Sequence, residues 1–491
     1  MMRISETQFF LDRETSAGLQ NQLREKIATA ILARRFTPGQ RMPSSRRLAE
    51  HLGIARITVS LVYQDLVADG YLEAAPRSGY FIAADPPGLL AAPRPQRAPA
   101  QSTVDWDGWL SGRYRRMRTL EKPVDWRAYP YPFVYGQVDD TLFPHGDWRD
   151  CARRALGKRD FSQVSGDFWH ADDPKLVDYI LSHSLPGRGI EAAREEVLVT
   201  LGAQHALWLG ITMLTDRRPG LKVAIEEPGY SYLREMLAVT GCEIFPVPVD
   251  AHGLPPEAVP DGMDLVCVTP SHQAPTGATM SSVRRKALLK RAEAEDFLIL
   301  EDDYDFEMSF LKPARMALKA TDPHGRVIHT GSFSKSLFPG LRLGYLVAAD
   351  PVIKEARGLR GLMMRHPPGT TQRTTAYFLA LGHYNAHVRR LRAAFMERRE
   401  VMGAALESAG LAVAGASDFG GAGFWVRGPE GMDASELAGD LRQDGVLIEP
   451  GEAFYADPEG ARHFFRMAYS SIAAQNIPEG VRRVARRIRK G

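Results

Sequence analysis

The spacing of apolar positions changes along this chain, and the changes divide it. Between Gly18 and Arg34, Leu19, Leu23, Ile27, Ile31 and Leu32 recur at the interval of an amphipathic helix, which Thr37-Pro38-Gly39 ends. Pro43-Ser44-Ser45 opens a second helix: serine is a favoured N-cap, Arg46 and Arg47 occupy the first turn, and Leu48, Ala49 and Leu52 share the inward face before Gly53 closes it. A third helix is predicted over 55–69, with Ile57, Val59, Val62, Tyr63 and Leu66 as its buried stripe and Asp69-Gly70 at its end. Tyr71-Leu72-Glu73 and Gly79-Tyr80-Phe81-Ile82, on either side of Pro76-Arg77-Ser78, suit a small hairpin.

From residue 126 onward short apolar runs alternate with helical patterns. Runs at 196–200, 222–226, 265–269, 297–301, 327–330 and 343–348 are predicted as buried strands, with helices near 203–215, 229–240, 281–295 and 351–364. Such alternation implies an α/β domain whose mostly parallel sheet is covered on both faces. A long helix over 388–409 leads into a smaller mixed region with strands at Phe424-Trp425-Val426 and 464–469.

Between the two patterned regions lie Pro86, Pro87, Pro93, Pro95 and Pro99 with Arg94 and Arg97, a composition that builds neither helix nor central strand. The expected organisation is therefore a unit over 13–83, a semi-extended linker over 84–125, with coil dimensions on the order of 35 Å, and a large domain over 126–491. Trp106, Trp109 and Tyr114, set among Arg113, Arg115, Arg116 and Arg118, dock on either domain or help hold a polyanion; the sequence leaves this open.

A chain of 491 residues exceeds one core, and 44% hydrophobic with 25% charged residues matches soluble globular proteins rather than disordered or membrane ones. No apolar run approaches a membrane span and no signal pattern opens the chain, so a cytoplasmic location is expected. Cys151, Cys242 and Cys267 are odd in number and widely spaced, which suits buried thiols in a reducing compartment and no metal site. A net charge of +3 implies no partner by itself, so any nucleic-acid argument rests on local charge.

Two helices separated by a glycine break and followed by a hairpin make a winged helix-turn-helix, mostly α with a small β-wing. Its third helix would enter the major groove of double-stranded DNA, placing Arg56 and Thr58 near bases. Ser44, Ser45 and Arg46 at a helix start suit a backbone phosphate, and Arg77 and Gly79 lie on the wing. A three-helix protein-interaction module with an incidental basic face is the alternative. Residues 38–83, with Pro-Ser-Ser-Arg at the helix start and Arg-Ser-Gly-Tyr-Phe in the wing, resemble the DNA-binding domain of GntR-type bacterial regulators.

In the large domain, polar clusters follow the strand ends, where open α/β sheets bind ligands. They are Gly202-Ala203-Gln204, Tyr230, Ser271-His272-Gln273, Asp302 with Tyr304, and Ser332-Phe333-Ser334-Lys335 with Arg342 seven residues on. A lysine for a Schiff base, a carboxylate for a ring nitrogen, an aromatic face, and hydroxyls with an arginine for a phosphate are what pyridoxal 5'-phosphate requires. Asp302, after Phe-Leu-Ile-Leu-Glu, sits at a buried strand and should have a cationic partner.

These motifs resemble fold-type-I aminotransferases across nearly all of 126–491. Behind a GntR-type domain they resemble the MocR-type regulators, a group that includes sensors of γ-aminobutyrate, taurine and pyridoxal phosphate. The resemblance implies that Lys335 forms the internal aldimine, Asp302 pairs with the pyridine nitrogen, Tyr304 reaches the ring hydroxyl and Tyr230 stacks on the ring. It places Gly202, Ala203, Gln204, Ser332, Ser334 and Arg342 around the phosphate and Arg466 on an effector's acid group. It further implies a homodimer, the wing domain of one subunit resting on the large domain of the other, reading an operator with two half-sites.

The loop Ser271-His272-Gln273-Ala274-Pro275-Thr276-Gly277 departs from the aminotransferase Asn-Pro-Thr-Gly, and His272 or Gln273 would take the asparagine's place; His272 could equally be structural. The expected function is a cofactor-dependent transcription regulator that senses an amine or amino-acid-like effector through Lys335. An active aminotransferase with an accessory N-terminal domain is the alternative, since the residues for slow turnover are present.

Overall fold

The computed structural model describes residues 3–13, 18–87 and 102–490. The chain divides into two compact units, Met1–Ser111 and Gly112–Gly491. Pro93, Pro95, Pro99, Arg94 and Arg97 lie outside the described residues.

The first unit contains helices α1 (Leu19–Leu32), α2 (Ser45–Leu52) and α3 (Arg56–Ala68) and strands β1 (Leu72–Ala75) and β2 (Gly79–Ile82), the strands paired antiparallel. Ser44 Oγ accepts from the Arg47 N–H and caps α2, and Gly53 ends it at φ +62°. Leu23, Ile27 and Ile31 of α1 meet Leu48 of α2 and Val59, Val62 and Leu66 of α3 in one core, each wholly removed from water. Each burial contributes about 1.5–3 kcal/mol. Tyr63 brings a hydroxyl inside and donates it to the Pro43 carbonyl at 2.9 Å, tying α3 to the start of α2. Ile57 departs from expectation: it is 65% exposed. The inward stripe runs through Val59, Val62, Tyr63 and Leu66, and at 100° per residue Ile57 falls on the opposite side. Leu32 is exposed too, one residue off the α1 stripe.

The second unit is built on a seven-stranded sheet. Its spatial order is Val197–Thr200, Gly344–Val347, Val327–Ser332, Leu298–Asp303, Leu265–Val268, Lys222–Glu227 and Glu243–Pro248. Gly344–Val347 runs antiparallel to both its neighbours, and the remaining pairings are parallel. Val197–Thr200, Leu265–Val268 and Val327–Ser332 are buried along their whole length, as helices on both faces require. Glu243–Pro248 was not expected from the sequence. It is an edge strand, where Pro246 and Pro248 are tolerated because one side needs no ladder.

The helix His383–Ala409 leads to a four-stranded sheet in which Gly423–Arg427 and Phe464–Ala468 pair antiparallel and Glu449–Pro450 lies at the edge. The large unit also begins earlier than 126. Arg113 donates to the Val239 carbonyl at 3.0 Å and Arg118 to the Ala456 carbonyl at 2.7 Å, so this part of the arginine-rich segment packs on it. The three cysteines are free thiols. Among the described residues no helix is long and apolar enough to cross a membrane.

Candidate functional site

Loops leaving the carboxyl edge of the large sheet enclose a cavity of about 240 Å³. Lys335 enters it three residues beyond Ser332. Its Nζ lies 4.8 Å from the Tyr135 ring centroid, close above the Gly136 backbone. A Cβ at Gly136 would stand 2.1 Å from that nitrogen, and the glycine's φ of +67° would in addition strain any side chain. Burial lowers the Lys335 pKa to about 8, and the positive charge of Arg466 adds to the effect.

Asp302 faces the same cavity from the Leu298–Asp303 strand. Strand alternation sends its neighbours the other way, and they have the cations. Asp303 is paired with Arg188 and Glu301 is hydrogen-bonded to His329 at 3.0 Å, all four side chains fully buried. Asp302 accepts from Thr330 Oγ1 at 3.0 Å, its register partner on the adjacent strand. Among the described residues no lysine, arginine or histidine lies in ion-pair distance of it. The expected protein cation is therefore missing at Asp302. Burial, with Asp303 and Asp305 nearby, raises its pKa to about 7. A buried carboxylate in this state gains from a cationic group carried in by a ligand, such as a protonated ring nitrogen.

Opposite lies a cradle for an anion. Gly202, at φ +78°, precedes the helix Ala203–Arg217, whose first N–H groups are open. The Arg342 guanidinium lies 3.5 Å from where a Gly202 Cβ would be, and donates to the Leu201 carbonyl at 3.1 Å. Ser332 Oγ accepts from the Ser334 N–H at 3.1 Å, while the buried Ser334 Oγ has no partner among the described residues. An unpaired hydroxyl beside a helix N-terminus and an arginine fits a phosphate group.

Arg466, on the Phe464–Ala468 strand, closes the far side. It lies between the rings of Tyr135 and Phe454, 4.2 and 4.8 Å from their centroids. Its Nε donates to Glu449 Oε2 at 2.8 Å, while its terminal amino groups donate to no protein acceptor among the described residues. Tyr135 donates its hydroxyl to Asp305 at 2.7 Å and its N–H to Glu449 at 3.2 Å.

Ala203, Gln204, Tyr230, Asp302, Tyr304, Ser332, Ser334, Lys335, Arg342 and Arg466 thus converge on one cavity. Gly202 shapes its wall. His272 and Gln273 do not line it. His272 Nδ1 is bonded to Asp305 at 2.9 Å; burial alone would depress this imidazole, but the carboxylate outweighs it and raises the pKa. Gln273 donates to the Pro228 and Ala274 carbonyls and accepts from Thr276, which staples its own loop. Tyr304 donates to the His272 carbonyl at 2.9 Å, and burial holds its phenol well above the usual range.

In the first unit Arg46 and Arg56 are both exposed, and Arg56 Nε donates to Ser45 Oγ at 3.4 Å, so the starts of α2 and α3 meet. Neither helix has an acid in its first turn. Thr58 is half-buried, Arg77 occupies the hairpin tip at φ +61°, and Gly79 begins β2. Arg47 is engaged by Glu6.

Two family models match the chain: bacterial regulatory proteins of the gntR family over residues 19–82, and aminotransferase class I and II over 173–484. The chain is 51% identical to the HTH-type transcriptional regulator TauR of Rhodobacter capsulatus, over 99% of this chain and 100% of that one. It is 33% identical to the probable rhizopine catabolism regulatory protein MocR of Rhizobium meliloti, over 80% and 78% of the two chains. The chain belongs to the MocR-type regulators. A MocR-type chain fuses the GntR head to the aminotransferase fold, and solved structures bear out the second part. An archaeal alanine:glyoxylate aminotransferase superposes with TM-score 0.70 at 25% identity, covering 79% of this chain and all of that one. Kynurenine aminotransferase of Pyrococcus horikoshii gives 0.69 at 24%, with 79% and 98% covered, a likeness of fold.

Sequence reasoning missed Tyr135, Gly136, Glu449 and Phe454 in this MocR-type chain. Glu449 carried the signal that singled out Asp302: a carboxylate ending an apolar run, Val-Leu-Ile-Glu. Tyr135-Gly136 ends the run Pro-Phe-Val-Tyr-Gly, with nothing local to say that it returns to Lys335 from 200 residues away.

Proposed function

We propose that this MocR-type regulator binds pyridoxal 5'-phosphate at Lys335 and is switched by a small amine that carries an acid group. The observation that carries the reading is Asp302, a buried cavity carboxylate with no cation paired to it among the described residues, in the same cavity as an amine nucleophile and an anion cradle. Asp302 would hold the ring nitrogen, Tyr230 the ring face, and Ser332, Ser334, Arg342 and the N-terminus of Ala203–Arg217 the phosphate. The cofactor supplies an electrophilic aldehyde carbon and a ring that accepts electrons. Lys335, with its pKa lowered to about 8, presents that carbon with a far larger neutral-amine fraction near neutrality than an ordinary lysine would. An arriving effector amine competes for the same carbon, and the free end of Arg466 binds the effector's carboxylate or sulfonate. Tyr135 and Phe454 pack on the guanidinium faces and keep water from it.

Displacing the Lys335 amine changes what fills the cavity. A regulatory response follows if the effector binds two arrangements of a homodimer unequally, and two heads then address two half-sites. Operator-binding assays with and without pyridoxal phosphate and a panel of amino acids and amino sulfonates test this. Sequence-specific binding altered by one amine is expected; rapid transamination with no specific DNA binding would establish the aminotransferase alternative instead.

A further inference from the structure

α3 carries two aliphatic side chains on its outer side for which the core has no use. Ile57 is 65% and Leu61 40% exposed, one turn apart, while Val59, Val62, Tyr63 and Leu66 fill the core from the opposite side. Gln64, also exposed, continues the row at i, i+4, i+7. At the N-terminal end of the row the surroundings are cationic: Arg56 adjoins Ile57 and donates to Ser45 Oγ, Arg46 is exposed on the neighbouring helix, and no acid sits in either first turn, the exposed Asp65 lying two turns beyond Ile57. An apolar row with cations at its open end complements a surface that is anionic at its rims and apolar within. The major groove is such a surface, with phosphates along its edges and the thymine C5-methyl as the one methyl group on its floor.

We infer that Ile57 is a specificity-determining residue of the DNA-binding unit, packing on a thymine C5-methyl in each operator half-site, with Leu61 extending the contact to the next base step. The inference rests on the regulator reading and adds what α3 recognises.

The test uses the full-length protein loaded with pyridoxal phosphate and a duplex it selects from a random pool. Each thymidine of that duplex is then replaced singly by deoxyuridine, which removes only the methyl. At one or two positions per half-site, uracil should weaken wild-type binding about threefold to tenfold. Ile57→Ala, at an exposed position, should fold as wild type, bind thymine and uracil duplexes alike, and match the wild type's affinity for the uracil duplex. An unchanged thymine-to-uracil ratio in Ile57→Ala at every position would overturn the inference. So would a shift in sedimentation mass with that ratio retained, which would make the row a protein–protein surface. If no preferred duplex emerges from the pool, the regulator reading itself fails.

Discussion

Glu449 and Arg466 oppose each other in the register of two antiparallel strands, and the 2.8 Å bond between them uses the inner nitrogen of the guanidinium. The carboxylate thereby aims the arginine while leaving its outer edge for another acid. Removing one partner of a buried pair leaves the other uncompensated, at a cost of about 3–5 kcal/mol. Arg466→Ala should lower thermal stability by that order and abolish the effector's spectral response. Adding Glu449→Gln should restore much of the stability and none of the response. Recovery of the response in the double variant would exclude Arg466 from effector binding.

Lys335→Ala should lose the visible absorption of the cofactor-loaded protein and the effector response while keeping basal DNA binding. Because only the neutral amine attacks, cofactor capture by the wild type should accelerate as pH rises through about 8 and then level off. Gly136→Ala, whose Cβ would overlap Lys335 Nζ, should slow capture severely at every pH. Stopped-flow absorbance on the cofactor-free protein measures both.

Asp302 links pH to stability. Its folded pKa of about 7 lies above the ordinary carboxylate value, so its contribution is complete below about pH 4 and is lost as pH rises through 7. Glu226 and Glu307, each raised to about 7 by burial, act in the same direction. Asp302→Asn should therefore stabilise the cofactor-free protein at pH 8, by up to about 4 kcal/mol, and leave it unchanged at pH 4. The same variant should bind pyridoxal phosphate more weakly. Melting curves at the two pH values, with and without cofactor, are the measurement.

Arg56→Ala should weaken operator binding at least about tenfold, the scale of one lost base or charged contact, with cofactor absorption intact. Arg77→Ala should weaken binding to all sequences more evenly and shallow the salt dependence. Footprints of the two variants at several salt concentrations separate the roles.

Sequence alone determined a helical unit ahead of an α/β one and the six expected strands to within two residues, and it put Lys335, Asp302 and Arg342 at strand ends, which the structure brings to one cavity, because strand-end position and burial patterning are local properties. It failed where the deciding neighbour was distant. The run Glu301-Asp302-Asp303 looked like one kind of residue three times; only the folded sheet gave Arg188 to Asp303 and His329 to Glu301, and left Asp302 for the cavity. His272 and Gln273 followed the right strand, yet Asp305 and Thr276 take their polar groups. Ile57 belonged to an apolar helix, but the rotation of α3 against α1 and α2 put it in water. Composition and periodicity fix which residues a strand or helix can bury. Which polar group goes unpaired, and which side chain stays exposed, depends on contacts between segments far apart in the chain, and those exist only once the chain has folded.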